Sequence, residues 1–381
     1  MKHKTLFAKM IAMLMVLTMA LSCFGCSAKE AAPEAPAAST EASENPDYIG
    51  GELNLLCWTG YEEEPIVKAF EEKYGVKVNF KVFPTSSELY AMLETAEPGE
   101  WDVCTPDTPW IPKMVEAGML QPLDMAKYTE VNDFFDKWKN FEEVKVDGEQ
   151  YGIVSHWGYY ALVYNSDYID AEDVKTMDIL WDEKVKGKLA IYDWYLPNMS
   201  MLAIKNGADK PAEIDDAAFE QVKQDLFSLK GQESAIFATP SDVIQSLANG
   251  SSWIGVMGEW LRMSLACEGY PIEISIPETG AMSWAECVAI VEGAKNQEAA
   301  EAWIKYIISP EAQAMLAWAD CYHAPVPNKK AAEHLTEEQI EILEVFDEDK
   351  TDYILSHLVD RQLPEDEKKW ESVWTEFKTM K

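Results

Sequence analysis

A repeated change of hydrophobic period between residues 51 and 105 constrains this 381-residue chain more than any other feature. The stretch GELNLLCW, residues 51–58, reads as a buried strand. Pro65 opens a helix in which Ile66, Phe70 and Tyr74 recur four apart, with Gly75 as its stop. Val76, Val78, Phe80 and Val82 then alternate with Lys77, Asn79 and Lys81, the pattern of a half-buried strand. Ser86 or Ser87 is placed to cap a helix through Leu89, Met92 and Leu93, and Trp101 to Thr105 is a short apolar strand. The order βαβαβ requires a parallel sheet with helices packed on it. Ligands of such sheets bind beyond the carboxyl ends of the strands. Trp58, Thr59, Gly60 and Tyr61 fall at one such end, and Pro106, Asp107 and Thr108 at another.

A second α/β unit follows. Tyr151 to Tyr164 is a long extended run, and Lys188 to Asp193 is a strand ending at Trp194 and Tyr195. Phe219, Val222, Leu226 and Leu229 mark a helix, and Trp253 to Met257 a strand ending at Gly258, Glu259 and Trp260. Trp284 to Ile290 reads as an extended segment returning to the first unit. Ser309 and Pro310 then start a helix as cap and first residue. The length suits two lobes. Residues 49–156 and 285–330 are assigned to lobe 1, residues 157–284 to lobe 2, and residues 331–381 to polar C-terminal helices with Trp370, Trp374 and Phe377 as their apolar edge.

The first 26 residues read as a lipoprotein signal. Lys2, Lys4 and Lys9 precede an apolar run from Met10 to Leu21, too short for a comfortable membrane span. Small residues stand just before Cys23 and Cys26, and Cys26 is the favoured lipid acceptor. Residues 27–48, rich in Ala, Glu, Pro and Ser, bury no core and read as a flexible tether. A net charge of −35 repels nucleic acid and favours cations. No cysteine or histidine spacing suits a metal, and no nucleophile elbow, dinucleotide or phosphate loop occurs. The chain therefore reads as a monomer without cofactor, metal or catalysis.

The aromatics carry the functional signal. Of 14 tryptophans, Trp58, Trp194, Trp260 and Trp284 are placed at predicted strand ends, with Tyr61, Trp110, Trp157 and Tyr195 nearby. Ring faces attract a desolvated cation by ~0.5–2 kcal/mol each. A box of rings with one or two carboxylates suits an organic amine, though rings also stack on sugars.

From about residue 51 to about residue 330 the chain resembles the spermidine/putrescine-binding proteins of ABC transporters. The resemblance lies in WTGYEEEPIVKAFEEKYGVKV (58–78), the stretch from Glu88 to Asp124, HWGYYALVYN (156–165), WAECVAI (284–290), YIISPEAQAMLA (306–317) and APVPN (324–328). It implies an α/β, two-lobed type II periplasmic-binding-protein fold with a hinge. It also implies a cationic ligand, most simply putrescine or spermidine, and delivery to a membrane permease with an ATPase. The family's aromatic start falls on Trp58, Thr59 and Tyr61, and its late W-x-D on Trp284 and Glu286. Its loop serine falls on Asp107, and the tyrosine that follows falls on Pro109, with Trp110 next. Its second-lobe tryptophan falls near Gly258, beside Glu259 and Trp260, and its late tyrosine falls on Ala324, two residues after Tyr322. The carboxylates of its D-x-x-E fall near Trp194 and Pro197 and are missing. Fewer carboxylates and more rings suit a shorter or monovalent amine or a methylated ammonium better than a triamine. Another amine, an amino-acid-like zwitterion, or a sensor role towards a membrane signalling protein remain the alternatives.

Overall fold

Two strands without a single exposed residue, Ile153–Asn165 and Ala281–Ile290, carry the architecture of this computed structural model, which describes residues 45–380. The signal, Cys23, Cys26 and most of the tether lie outside the described residues. The expected βαβαβ opening is present. Strand β1 (Glu52–Cys57) pairs in parallel with β2 (Lys77–Val82) and β3 (Val103–Cys104). Between them run α1 (Glu64–Tyr74), burying Ile66, Phe70 and Tyr74, and α2 (Ser86–Thr95). Gly75 ends α1 at φ 65°, a left-handed conformation that favours glycine, and a Cβ there would displace the exposed Tyr48 ring, which lies 2.0 Å from its position. The cap of α2 differs from expectation. Thr85 accepts from the Glu88 N–H, and the Ser86 hydroxyl donates to Asp107 at 2.8 Å instead.

The long strand β4 (Ile153–Asn165) continues the sheet, followed by β5 (Leu189–Tyr192), β6 (Glu233–Phe237), β7 (Ile254–Gly258), β8 (Ile272–Ser275), β9 (Ala281–Ile290) and β10 (Leu358–Val359). Their order is β2-β1-β3-β9-β4-β7-β5-β6, with β8 paired to β4 and β10 to β9. The long pair β4–β9 thus joins a parallel half, β1 to β3, to a second half around β5 to β7. Both strands are buried on both faces, which explains their continuous apolar sequence.

Two helices follow strands of the second half directly: α3 (Tyr195–Lys205) after β5 and α4 (Glu259–Cys267) after β7. The terminal helix α5 (Glu367–Thr379) buries Trp370, Trp374 and Phe377, as its apolar edge foretold. Trp374 donates to Asp193 at 2.7 Å, and Lys378 pairs with the same carboxylate, which holds Asp193 in this packing contact. The segment read as purely helical also contributes β10 beside β9.

Asp102 shows how the first half is fastened. Its fully buried carboxylate accepts from the Asn54, Lys295 and Asn296 N–H groups and from the Asn296 side chain, at 2.8–3.1 Å. It ties β1, the start of β3 and the turn beyond β9 together. Asp102→Ala leaves buried donors unpaired, each costing about 1–3 kcal/mol. We predict a loss of at least ~3 kcal/mol in urea unfolding; a loss below ~1 kcal/mol would refute this role.

Candidate functional site

Cross-strand register decides which side chains meet. On β4 and β9, Glu286 lies opposite His156, Trp284 opposite Gly158, and Met282 opposite Tyr160. Alternation along a strand puts each of these sets on one face. Gly158 keeps that face open: a Cβ there would lie 2.0 Å from Glu259 Oε1. Glu259, the first residue of α4, therefore lies over the strand. Its Oε2 accepts from the Tyr159 N–H at 2.7 Å and the Trp284 indole at 3.2 Å, while Oε1 has no partner among the described residues.

Glu286 is 6% exposed. Its Oε1 accepts from the Tyr322 hydroxyl at 3.2 Å, and its Oε2 has no hydrogen-bond partner among the described residues. His156 Nδ1 stands 3.9 Å from Oε2 but brings no charge, because burial lowers that imidazole to about 3. Burial, then the charge of Asp107, raises the Glu286 carboxyl to about 8, against the hydroxyls of Tyr61 and Tyr322 and the charge of Arg361. Glu259 is raised to about 8 by burial. Rings surround Glu286. His156 meets Trp284 edge-on at 5.6 Å, Tyr322 stacks on His156 at 5.3 Å, and Tyr61 meets it edge-on at 6.5 Å.

The Tyr61 hydroxyl shares a 2.7 Å bond with Ser155, the residue left out of register by a bulge in the β4–β9 ladder. Asp107 is paired backbone to backbone with Glu286, because the chain beyond β3 continues along β9. Its carboxylate accepts from Ser86 and pairs with Arg361 Nη2 at 2.9 Å. Arg361 comes from the segment after β10 and is 7% exposed. Glu143, raised to about 7 by burial, feels the charge of Arg361 and accepts from Thr108.

The structure thus brings together Tyr61, Asp107, Glu259, Trp284 and Glu286 of the residues singled out by sequence. Trp194 joins them at one remove, meeting Tyr160 edge-on at 5.7 Å. Trp284 lies inside β9 rather than at a strand end, a correction that follows from the strand being buried on both faces. Trp58 packs on Phe83 at 4.7 Å, with its indole N–H buried and unpartnered, and Thr59 bonds Glu62. Trp260 lies against Gly258, the partner of Tyr160. Trp110 is turned to Tyr90 and Lys113, and no ring contact ties it to the group around Glu286. Sequence reasoning missed His156, Ser155 and Arg361. Arg361 left one signal, as one of only two arginines in the chain.

Comparison with known proteins follows the same line. Residues 65–341 match the family described as bacterial extracellular solute-binding protein. The spermidine/putrescine-binding periplasmic protein of Salmonella typhimurium is 26% identical over 292 residues, covering 75% of this chain and 80% of its own. The putrescine-binding periplasmic protein SpuD of Pseudomonas aeruginosa is 27% identical over 289 residues, covering 69% and 75%. Among solved structures, the spermidine/putrescine transporter substrate-binding protein PotD of Streptococcus pneumoniae superposes with a TM-score of 0.73 at 22% identity, over 86% of this chain and 99% of that one. At that identity the likeness speaks for the fold, a type II periplasmic-binding-protein fold.

Two buried carboxyls raised from 4.5 to about 8 make a testable statement about pH. The unfolded chain releases both protons near 4.5, whereas the unliganded fold keeps them. Their contribution to stability is therefore fully present below pH 4.5 and is lost as pH rises through about 8. We predict an infrared carbonyl band of protonated carboxyl at pH 6, from Glu143, Glu259 and Glu286 together, that fades as pH rises through about 7 to 8 and shrinks by roughly a third in Glu286→Gln. Absence of any such band at pH 6 would refute the assignment.

Proposed function

The chain belongs to the bacterial extracellular solute-binding protein family, and on that premise we propose that it is the ligand receptor of an ABC importer, capturing an organic cation outside the cytoplasm for a permease and its ATPase. Its task is binding rather than chemistry. The observation that carries this reading is Glu286: a buried carboxyl with one unpartnered oxygen, walled by Trp284, His156, Tyr322 and Tyr61. An ammonium supplies the missing hydrogen bond and the missing charge at once, and the rings favour a cation stripped of water. Polyamines are among the candidate ligands because the relatives at about 25% identity are named for spermidine and putrescine. One observation favours a ligand with a single ammonium as the second reading: Asp107, the carboxylate opposite Glu286 on the ladder, already holds Arg361.

Calorimetric titration with putrescine, spermidine, choline, glycine betaine and a neutral sugar tests the reading. A charge-assisted hydrogen bond contributes roughly 1.5–3 kcal/mol, so Glu286→Gln should weaken amine binding about 10- to 150-fold. Trp284→Ala should cost a comparable factor through lost ring contact. Trp374→Ala, in α5 and outside the site, should leave affinity intact while lowering stability. Heat from the sugar, with none from any amine, would sink the cation reading.

The chain is proposed to be held at the membrane by a lipid on Cys26, with Cys23 as the other candidate. Small residues before each cysteine and the basic, then apolar, leader support this. Serine at the true acceptor should release the protein into the medium. Unchanged membrane partition in both single variants and the double variant would refute anchoring through either cysteine.

A further inference from the structure

The two arginines of the chain are both buried, and neither spends all its donors on the protein. Arg262 donates to the Ile342 carbonyl at 2.8 Å and pairs with Glu273 at 3.4 Å and Glu344 at 3.3 Å, the connections of a structural cross-link, while its buried Nε has no partner among the described residues. Arg361, 7% exposed, has one bonded partner among the described residues, Asp107 at 2.9 Å through Nη2. Its Nε and Nη1 have none. A guanidinium has five donors in a planar fork suited to carboxylates, so most of its capacity is unspent. Asp107 is the backbone partner of Glu286, so this cation stands next to the carboxyl whose Oε2 is also unpartnered. The site therefore offers a donor group of positive charge with capacity to spare and a carboxyl with an unpartnered oxygen, both neighbours of Asp107.

We propose that Arg361 sets the charge pattern of the ligand: it neutralises Asp107, leaves the ammonium to Glu286, and presents its free donors to a carboxylate, so the protein binds a short zwitterion in preference to a diamine. This rests on the reading of Glu286 as the ammonium site and deepens it. A diamine places its second positive charge beside a buried guanidinium, with Asp107 already engaged. A zwitterion places a negative group there and gains a charge-assisted fork. Both buried groups are then satisfied by one molecule.

Three probes of similar length isolate the effect: putrescine, 4-aminobutyrate and n-butylamine, which share an ammonium and differ at the other end. In calorimetric titration of the whole protein, 4-aminobutyrate should bind about 10- to 100-fold more tightly than n-butylamine, and putrescine most weakly. Arg361→Gln should lose that advantage and raise putrescine above 4-aminobutyrate, because Asp107 is freed for the second ammonium. Should Arg361→Gln fail to fold with Asp107 unpaired, Asp107→Asn combined with Arg361→Gln keeps the contact neutral. That double variant should bind n-butylamine and 4-aminobutyrate alike, with no preference for 4-aminobutyrate. Putrescine binding most tightly to the natural protein, with the order unchanged in the variants, would overturn the role of Arg361 and leave the amine reading standing. No binding of any of the three by any form of the protein would overturn both.

Discussion

Seven antiparallel residue pairs, from Met282 with Tyr160 to Val288 with Ile153, hold the two halves of the sheet on one ladder. Nearly everything about the site follows from their register. A slip of one residue would turn His156 and Glu286 to the opposite face and exchange Gly158 for a bulky neighbour beneath Glu259. The bulge at Ser155 and the continuation of β3 along β9 complete the arrangement, setting Tyr61 and Asp107 against the same ladder. The backbone thus fixes the site before any side chain chooses a rotamer. Sites on paired strands hold their geometry more tightly than sites on loops.

Such rigidity has an energetic counterpart. A carboxyl taken out of water without a partner is disfavoured as an anion and keeps its proton instead. Glu259 and Glu286 share that condition, and their surroundings divide their roles. Glu259 is pinned by the Trp284 indole and the Tyr159 N–H, so it orients the ring beside it. Glu286 has one tyrosine hydroxyl bonded to Oε1, and its Oε2, like Oε1 of Glu259, has no partner among the described residues. The fold tolerates this shortfall because the ladder around it is buried along its whole length.

Much of the fold was legible because period and burial agree. The recurrence of Ile66, Phe70 and Tyr74 marked α1 correctly, and the apolar run from Tyr151 marked β4. The aromatic and acidic pair Trp284 and Glu286 was legible through resemblance, and so was Tyr61. What failed was local. Trp284 was placed at a strand end because a strand buried on both faces shows no alternation to locate its limits. His156 was passed over as a lone histidine, although a single titratable ring inside a wholly buried strand is itself informative. Arg361 was invisible because its neighbours Asp360 and Gln362 make a polar segment that reads as surface. Its partner Asp107 lies more than two hundred residues earlier, and only the folded chain brings them together.

On the proposed reading of Glu286 as an ammonium site, the acidic surface and the neutral interior of the site act in sequence. A chain of net charge −35 concentrates every small cation around itself, inorganic ions included, without choosing among them. A Glu286 that is protonated in the unliganded protein offers such ions no charge to bind. It ionises only for a partner that offsets the cost of a buried anion, and that requires a donor at hydrogen-bond distance together with groups that fit the rings. A hydrated sodium or potassium ion supplies neither the directed N–H nor the contact with Trp284. An alkylammonium supplies both. Discrimination therefore arises from the desolvation that raises the carboxyl, and the same burial that makes Glu286 costly to the fold makes it selective.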